Sequence, residues 1–374
     1  MSDFLIVGAG AIGMLTALAL RARGYSVTLL ERQQAGQESS WAGGGILSPL
    51  YPWHYSDAVN ALAQRSQQLY PTLAESLYAE TGVDPELLSS GLLMLDDVAS
   101  LDVASGQGVD PWAWASRRGV ALQRVVAANI AGVQAGIAHG DEGAWWMPEV
   151  MQVRNPRLLR ALRASLDVHG VRLMEQVEVQ SLVVTAGCVH GVRVFGQALL
   201  ADAVVLTAGA WSTHVLQQLG FASDHPPRIE PVRGQMMVLN APASGLKRIV
   251  MSEGRYLIPR QDGRVLVGST LEYAGFEKVS TEDARVALHA FATRLYPALR
   301  GAPMEAHWAG LRPGSPQGIP YIGEHPDIKG LFLHAGHFRN GLVMGPASTE
   351  LFVQGIEKEG GGLNAAPYAW NAAR

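Results

Sequence analysis

The chain has 374 residues, 48% of them hydrophobic and 17% charged, with 42 Gly and 20 Pro. That composition can bury one large or two modest cores and excludes disorder and coiled coil. A net charge of −4 supplies no field to hold the chain on nucleic acid or an anionic membrane, so the expected partners are small molecules. The single cysteine, Cys188, excludes an intrachain disulfide framework and a Cys-rich metal site and fits a reducing compartment, so the expected location is cytoplasmic.

In chain order, the apolar run Phe4–Val7 stops at Gly8, residues 12–23 continue without Pro, and Gly24 supplies a stop, which spells strand, turn and helix. The run 4–20 follows Asp3 and is broken by Gly8, Gly10 and Gly13, so it is read as structure and not as a signal or a membrane span. A second β-rich run, residues 26–30, completes a βαβ unit with parallel strands. A small-residue loop at 39–46 precedes a helix expected over Asp57–Thr81 and ended by Gly82. From Gly91 to Trp146 short apolar runs alternate with polar turns, Asp141–Ala144 reading as a hairpin turn; residues 236–239, 256–258 and 265–267 resume the pattern. Together they predict an antiparallel sheet built from two separated insertions. Between them lie a helix over 156–170, a hairpin around Gly187 and a strand at 203–206. A strand at 331–334 and a helix over 344–357 end the pattern. The expected fold is α/β, with a nucleotide-binding domain from 1–85, 148–228 and 308–374 and a second domain from 86–147 and 229–307. Trp112 and Trp114 are read as packed within an insertion, and the oligomeric state is left open.

Gly8, Gly10 and Gly13 form GxGxxG between a strand and a helix, and Glu31 stands 21 residues beyond Gly10. In that context Gly8 permits a tight turn, Gly10 lets backbone approach a pyrophosphate, Gly13 lets helix and strand pack, and Glu31 accepts from a ribose hydroxyl. The motif does not choose between dinucleotides. Ser39, Ser40 and Gly43–Gly45 suit a backbone passing close to a flat ligand, and equally a flexible loop. Arg312, in a run ending in a turn, can grip a carboxylate with two parallel hydrogen bonds; the bland alternative is a structural ion pair. Tyr256 is either a further donor or half-buried packing. His334 and His337 straddle a strand end and lack the neighbours that would complete a metal site, so no metal is expected. There is no GxSxG elbow, and the scarcity of acid–base machinery fits a cofactor doing the bond chemistry.

Taken together, residues 8–13 with Glu31, 39–48, 203–212 and 335–341 resemble the flavin-dependent amine and amino-acid oxidases related to D-amino-acid oxidase and sarcosine oxidase. YLIPR (256–260), VGST (267–270), AGLRPG (309–314), PYIG (320–323) and GHFRNG (336–341) resemble the glycine oxidase branch tied to thiamine biosynthesis. The resemblance implies a Rossmann-type FAD-binding domain with an inserted α+β substrate domain on an antiparallel sheet. It implies non-covalent FAD, since no Cys stands where sarcosine-oxidase relatives tether flavin. By position Gly8, Gly10, Ala11, Ile12, Gly13, Glu31, Arg32, Ser39, Ser40, Gly44, Gly45 and Ile46 should line the FAD. Val179 should touch adenine, Gly209 should join the site, and His337, Phe338, Arg339, Asn340, Gly341, Leu342 and Val343 should close over the flavin. Tyr256, Arg312 and Arg339 match the family's substrate residues, Arg312 as the carboxylate anchor. Where some glycine oxidases carry a His and a Met, this sequence has Gly254 and Leu271, both expected to border the pocket. The implied activity is oxidation of glycine, sarcosine and small D-amino acids with O2 as acceptor and H2O2 as product. A dehydrogenase of the same fold with another acceptor, acting on D-amino or N-methyl amino acids, is the alternative.

Overall fold

The computed structural model describes residues 2–95, 110–218 and 226–374. Its first sheet runs in the order Tyr321–Glu324, Leu331–Ala335, Gln197–Leu206, Ser2–Val7, Val27–Leu30, Arg172–Met174. All neighbours are parallel except the Tyr321–Glu324 edge. A hairpin turning at Gly187, Ser181–Thr185 with Cys188–Val194, extends the outer end of Gln197–Leu206.

Side chains alternate across this sheet with the two-residue period of extended chain. Phe4, Ile6, Leu29 and Val205 face the helices Ala11–Ala22, Asp57–Thr81, Asn155–Val168 and Gly341–Glu357. Leu5, Val7, Leu30, Val204 and Leu206 face the opposite core. Both faces are covered, which is why these strands read as continuous apolar runs. The helix Asp57–Thr81 starts where Ser56 Oγ accepts from Val59 N–H and stops at Gly82 in a left-handed conformation, the bounds its sequence predicts.

The second sheet has the order Met304–Gly314, Glu230–Asn240, Arg264–Gly268, Arg255–Pro259, Ile249–Ser252, Leu92–Leu95, Ala144–Met147, Gln123–Val125. It is antiparallel apart from the parallel pairing of Leu92–Leu95 with Ile249–Ser252. Met237, Leu239, Leu257 and Val267 pack on the helix Glu282–Leu295. Their alternating neighbours Met236, Tyr256 and Ile258 face the other way, into a layer with Trp53 and Trp114. Trp114 is buried there, whereas Trp112 is half exposed.

The turn expected at Asp141–Ala144 is corrected. Gln123–Val125 and Ala144–Met147 do pair antiparallel, but the connection is a long excursion through the short helical turns Ala127–Asn129 and Ile130–Val133. Asp141 and Glu142 only lead into the second strand, because Ile130 must first reach the core under Glu282–Leu295.

Candidate active site

The parallel register sets Val7 beside Leu30 on one side and Leu206 on the other, so the residues that follow them, Gly8, Glu31 and Thr207, emerge together at the carboxyl ends of the strands. That is where open parallel sheets bind ligands. A cavity of about 520 Å3 opens there and extends to the second sheet.

Gly8 has φ +109°, and a Cβ on it would lie 2.6 Å from the Thr207 carbonyl oxygen. Gly13 stays off the cavity wall and has the packing part its place in the motif predicts. A Cβ there would sit 2.0 Å from Gly8 O and 2.8 Å from Thr207 Oγ1, so its bareness lets the first helix press on the strand turn. The helix Ala11–Ala22 begins at Gly10, which has no side chain to cap it, and has no acid in its first turn, so no charge of its own answers the N-terminal dipole. Glu31 accepts from Ala9 N–H and Gln33 N–H, both at 2.9 Å, which fixes its carboxylate at the cavity wall. Arg32 lies over the Trp211 ring, 4.2 Å from its centroid, and both line the same end with Val179 and Gly209.

The small-residue loop is an ordered part of the wall. Ser39–Ala42 forms a helical turn, Ser40 Oγ accepts from Ala11 N–H at 3.0 Å, and Asn155 Nδ2 donates to Ser40 O at 2.7 Å. Arg260 reaches in from the second sheet, donating to Gly44 O at 2.8 Å and Val153 O at 3.0 Å. Burial, with Arg154 nearby, pushes Arg260 down to about 10. Ser39, Ser40, Gly44, Gly45 and Ile46 all line the cavity.

His337 through Val343 line the wall that ends on the helix Gly341–Glu357. The imidazoles of His334 and His337 both meet Ser348 Oγ, at 3.0 and 3.1 Å, and His334 Nδ1 meets Thr16 Oγ1 at 2.9 Å. Burial drives His337 down to about 3 and His334 well below the ordinary imidazole value, so both are neutral. Asn340 Nδ2 is buried without a partner among the described residues and belongs to the cavity wall.

At the second-sheet end stand Tyr256, Arg312 and Arg339. Arg312 opens onto the cavity but lies deep, and desolvation, with repulsion from Arg339, lowers it to about 10. The Tyr256 hydroxyl stands beside this guanidinium and approaches Met236 Sδ at 3.8 Å. Among the described residues no carboxylate pairs with Arg312; Ser269 Oγ and the carbonyls of Arg233 and Thr270 accept from it. The border positions expected for Gly254 and Leu271 are corrected. Neither lines the cavity: Gly254 sits in the turn between Ile249–Ser252 and Arg255–Pro259, and Leu271 is 41% exposed.

Sequence reading missed Asn155, Trp211, Gly234, Met236 and Ser269 as wall residues. Met236 carries a usable signal, since strand alternation puts it on the face of Tyr256. Asn155 and Gly234 carry none, because their neighbours are far away in sequence.

The donor set suits an FAD: an open helix N-terminus for a pyrophosphate, a fixed carboxylate for a ribose, an unpartnered amide for a polar ring edge, and a bare loop for a flat ring system. Residues 3–354 match the profile of the FAD dependent oxidoreductase family. The chain is 46% identical over 366 residues to the glycine oxidase of Pseudomonas putida, covering 98% of this chain and 97% of that one. It is 31% identical to the bifunctional protein ThiO/ThiG of Trichormus variabilis, over 96% of this chain and 53% of that one. The crystal structure of glycine oxidase from Geobacillus kaustophilus superposes with a TM-score of 0.90 at 28% identity, covering 100% of this chain and 99% of that one. The fold, the cavity and these likenesses agree, and the chain belongs to the family of FAD-dependent oxidoreductases of the D-amino-acid oxidase type.

Proposed function

We propose that the protein oxidises glycine, and with it sarcosine and small D-amino acids, to the imine and then the 2-oxo acid, passing the electrons to O2 and forming H2O2. The carrying observation is a deep guanidinium, Arg312, beside Tyr256 at the end of a dinucleotide cavity, with no acidic partner among the described residues. An unpaired deep cation is costly, and a substrate carboxylate answers it with a charge-assisted bidentate contact.

In this reading Arg312 and Tyr256 bind the carboxylate, and Arg339 adds a second positive charge on the same wall. Bound FAD would supply the hydride acceptor for the substrate Cα–H and the route of electrons to oxygen. The chain contributes orientation and charge. Gly8, Gly10, Ala11, Ile12, Glu31, Arg32, Ser39, Ser40, Gly44, Gly45, Ile46, Val179 and Gly209 hold the cofactor in this reading, with His337–Val343 against the flavin. The two buried imidazoles, already neutral, keep that segment in place without adding charge to it. The amine reacts in its neutral form, so no side-chain base is required at the carbon.

In this proposal the two-domain division follows the sheets, with the boundary expected at 307/308 moved to the end of strand Met304–Gly314, which pairs with Glu230–Asn240 through Gly314. The first sheet takes its strands from 2–30, 172–206 and 321–335, the second from 92–147 and 230–314. Strand Met304–Gly314 carries Arg312 from the second sheet to the cavity. Among the described residues no helix is long and apolar enough to cross a membrane; we place the reaction in the cytoplasm, with the imine from glycine available to thiazole assembly for thiamine.

Oxygen uptake by the FAD-loaded protein on adding glycine, with one H2O2 per O2, is the expected result. Turnover that needs a quinone or dye and leaves O2 untouched would replace the oxidase with a dehydrogenase of the same fold.

A further inference from the structure

A guanidinium can meet a carboxylate in several poses, and here its plane is held from two directions. Arg312 Nη1 donates to the carbonyl oxygens of Arg233 at 3.3 Å and Thr270 at 3.2 Å, and Nη2 donates to Ser269 Oγ at 2.8 Å. The flat face rests on Gly234: a Cβ there would lie 2.1 Å from Nη1, 2.2 Å from Nη2 and 2.3 Å from Cζ. Of the five N–H groups of an arginine, the two on Nη1 and one on Nη2 are therefore turned into the protein. Among the described residues nothing accepts from Nε–H or from a second Nη2–H, and the Nε/Nη2 edge is the side-on pair that matches the two oxygens of a carboxylate.

We propose that Ser269 and Gly234, which both line the cavity, are positioning residues that present the Nε/Nη2 edge of Arg312 to the substrate carboxylate. Ser269 Oγ sets the rotation of the guanidinium in its own plane, and the bare Cα of Gly234 sets its depth. Neither residue touches the reacting carbon. The inference rests on Arg312 being the carboxylate anchor and goes further by naming what fixes its pose.

The test uses the FAD-loaded protein and two probes: acetate, a carboxylate with no oxidisable amine, titrated by its perturbation of the flavin spectrum, and glycine, for kcat and KM. Ser269→Ala is expected to weaken acetate binding and raise the glycine KM about five- to tenfold, while kcat stays within about twofold, the size of one lost intramolecular hydrogen bond. Ser269→Thr keeps the hydroxyl and is expected to restore both. In an Arg312→Ala background Ser269→Ala should change kcat/KM for glycine no further, since residues acting through one group are not additive. Gly234→Ala should weaken acetate at least tenfold, because the guanidinium must move. Acetate affinity unchanged by Ser269→Ala, or an equal loss with and without Arg312, would overturn the inference. A wild type that binds acetate through Ser269 and Arg312 yet is not reduced by glycine would overturn the oxidase reading and leave the inference standing.

Discussion

Arg312 and Arg339 share one wall, and the repulsion between them already registers in the lowered Arg312. A bound carboxylate relieves that repulsion. Arg312→Ala should therefore raise KM steeply and lower kcat/KM by at least about 2–3 kcal/mol, read by steady-state kinetics with glycine; unchanged kinetics would remove Arg312 from the site. The buried imidazoles make a second prediction. Both are depressed in the folded chain, so the unfolded chain binds more protons as pH falls below its own histidine value of about 6.5, and stability is lost from there downward, toward about 3 for His337. Denaturant titrations between pH 7 and 5 should show that loss, and His337→Gln should bind about one proton fewer on unfolding at pH 5. Much at this scale was legible: GxGxxG with Glu31 has local spacing, and Arg312 and Tyr256 sit in short motifs. Gly234 and Asn155 were not, because the partners that give them meaning, Arg312 on the neighbouring strand and Ser40 at 115 residues' distance, are set by the fold; the pairing of His334 and His337 with Ser348 shows only once the strand end packs on the helix Gly341–Glu357.

At the scale of elements, the turn after the first strand is a junction with no room for a further Cβ. Gly13→Ala forces a Cβ against Gly8 O, a backbone atom with no rotamer to give. The expected cost is about 1–3 kcal/mol in urea unfolding, with weaker FAD binding because the Gly8–Ile12 backbone must shift; full retention of both would contradict the packing role. Elements with caps were readable from sequence: Ser56 and Gly82 bound a helix whose ends match expectation. The connection into Ala144–Met147 was misread because Asp141–Gly143 has turn chemistry, while the tertiary burial of Ile130 decides the path. The parallel pairing of Leu92–Leu95 with Ile249–Ser252 was equally hidden, since a strand's own pattern says nothing about its partner's direction.

For the whole molecule, the cavity is bounded by both sheets, so a ligand that fills it bridges two cores that meet there. FAD bound to the folded chain alone should stabilise it by mass action, about 2.7 kcal/mol at a free concentration of 100 times Kd. Removing the FAD should accordingly lower the Tm, and adding it back should restore it; a Tm indifferent to FAD would contradict the bridging cavity. The α/β class and the second antiparallel sheet followed from apolar periods along the chain, whereas the meeting of Arg312 with the dinucleotide loop required the folded arrangement of strand Met304–Gly314 against Glu230–Asn240.

The most direct measurement is to add glycine without oxygen to the FAD-loaded protein and follow the flavin absorbance. Rapid bleaching that recovers on admitting air, with peroxide formed, is the predicted result. A flavin that glycine leaves oxidised would contradict the proposed activity.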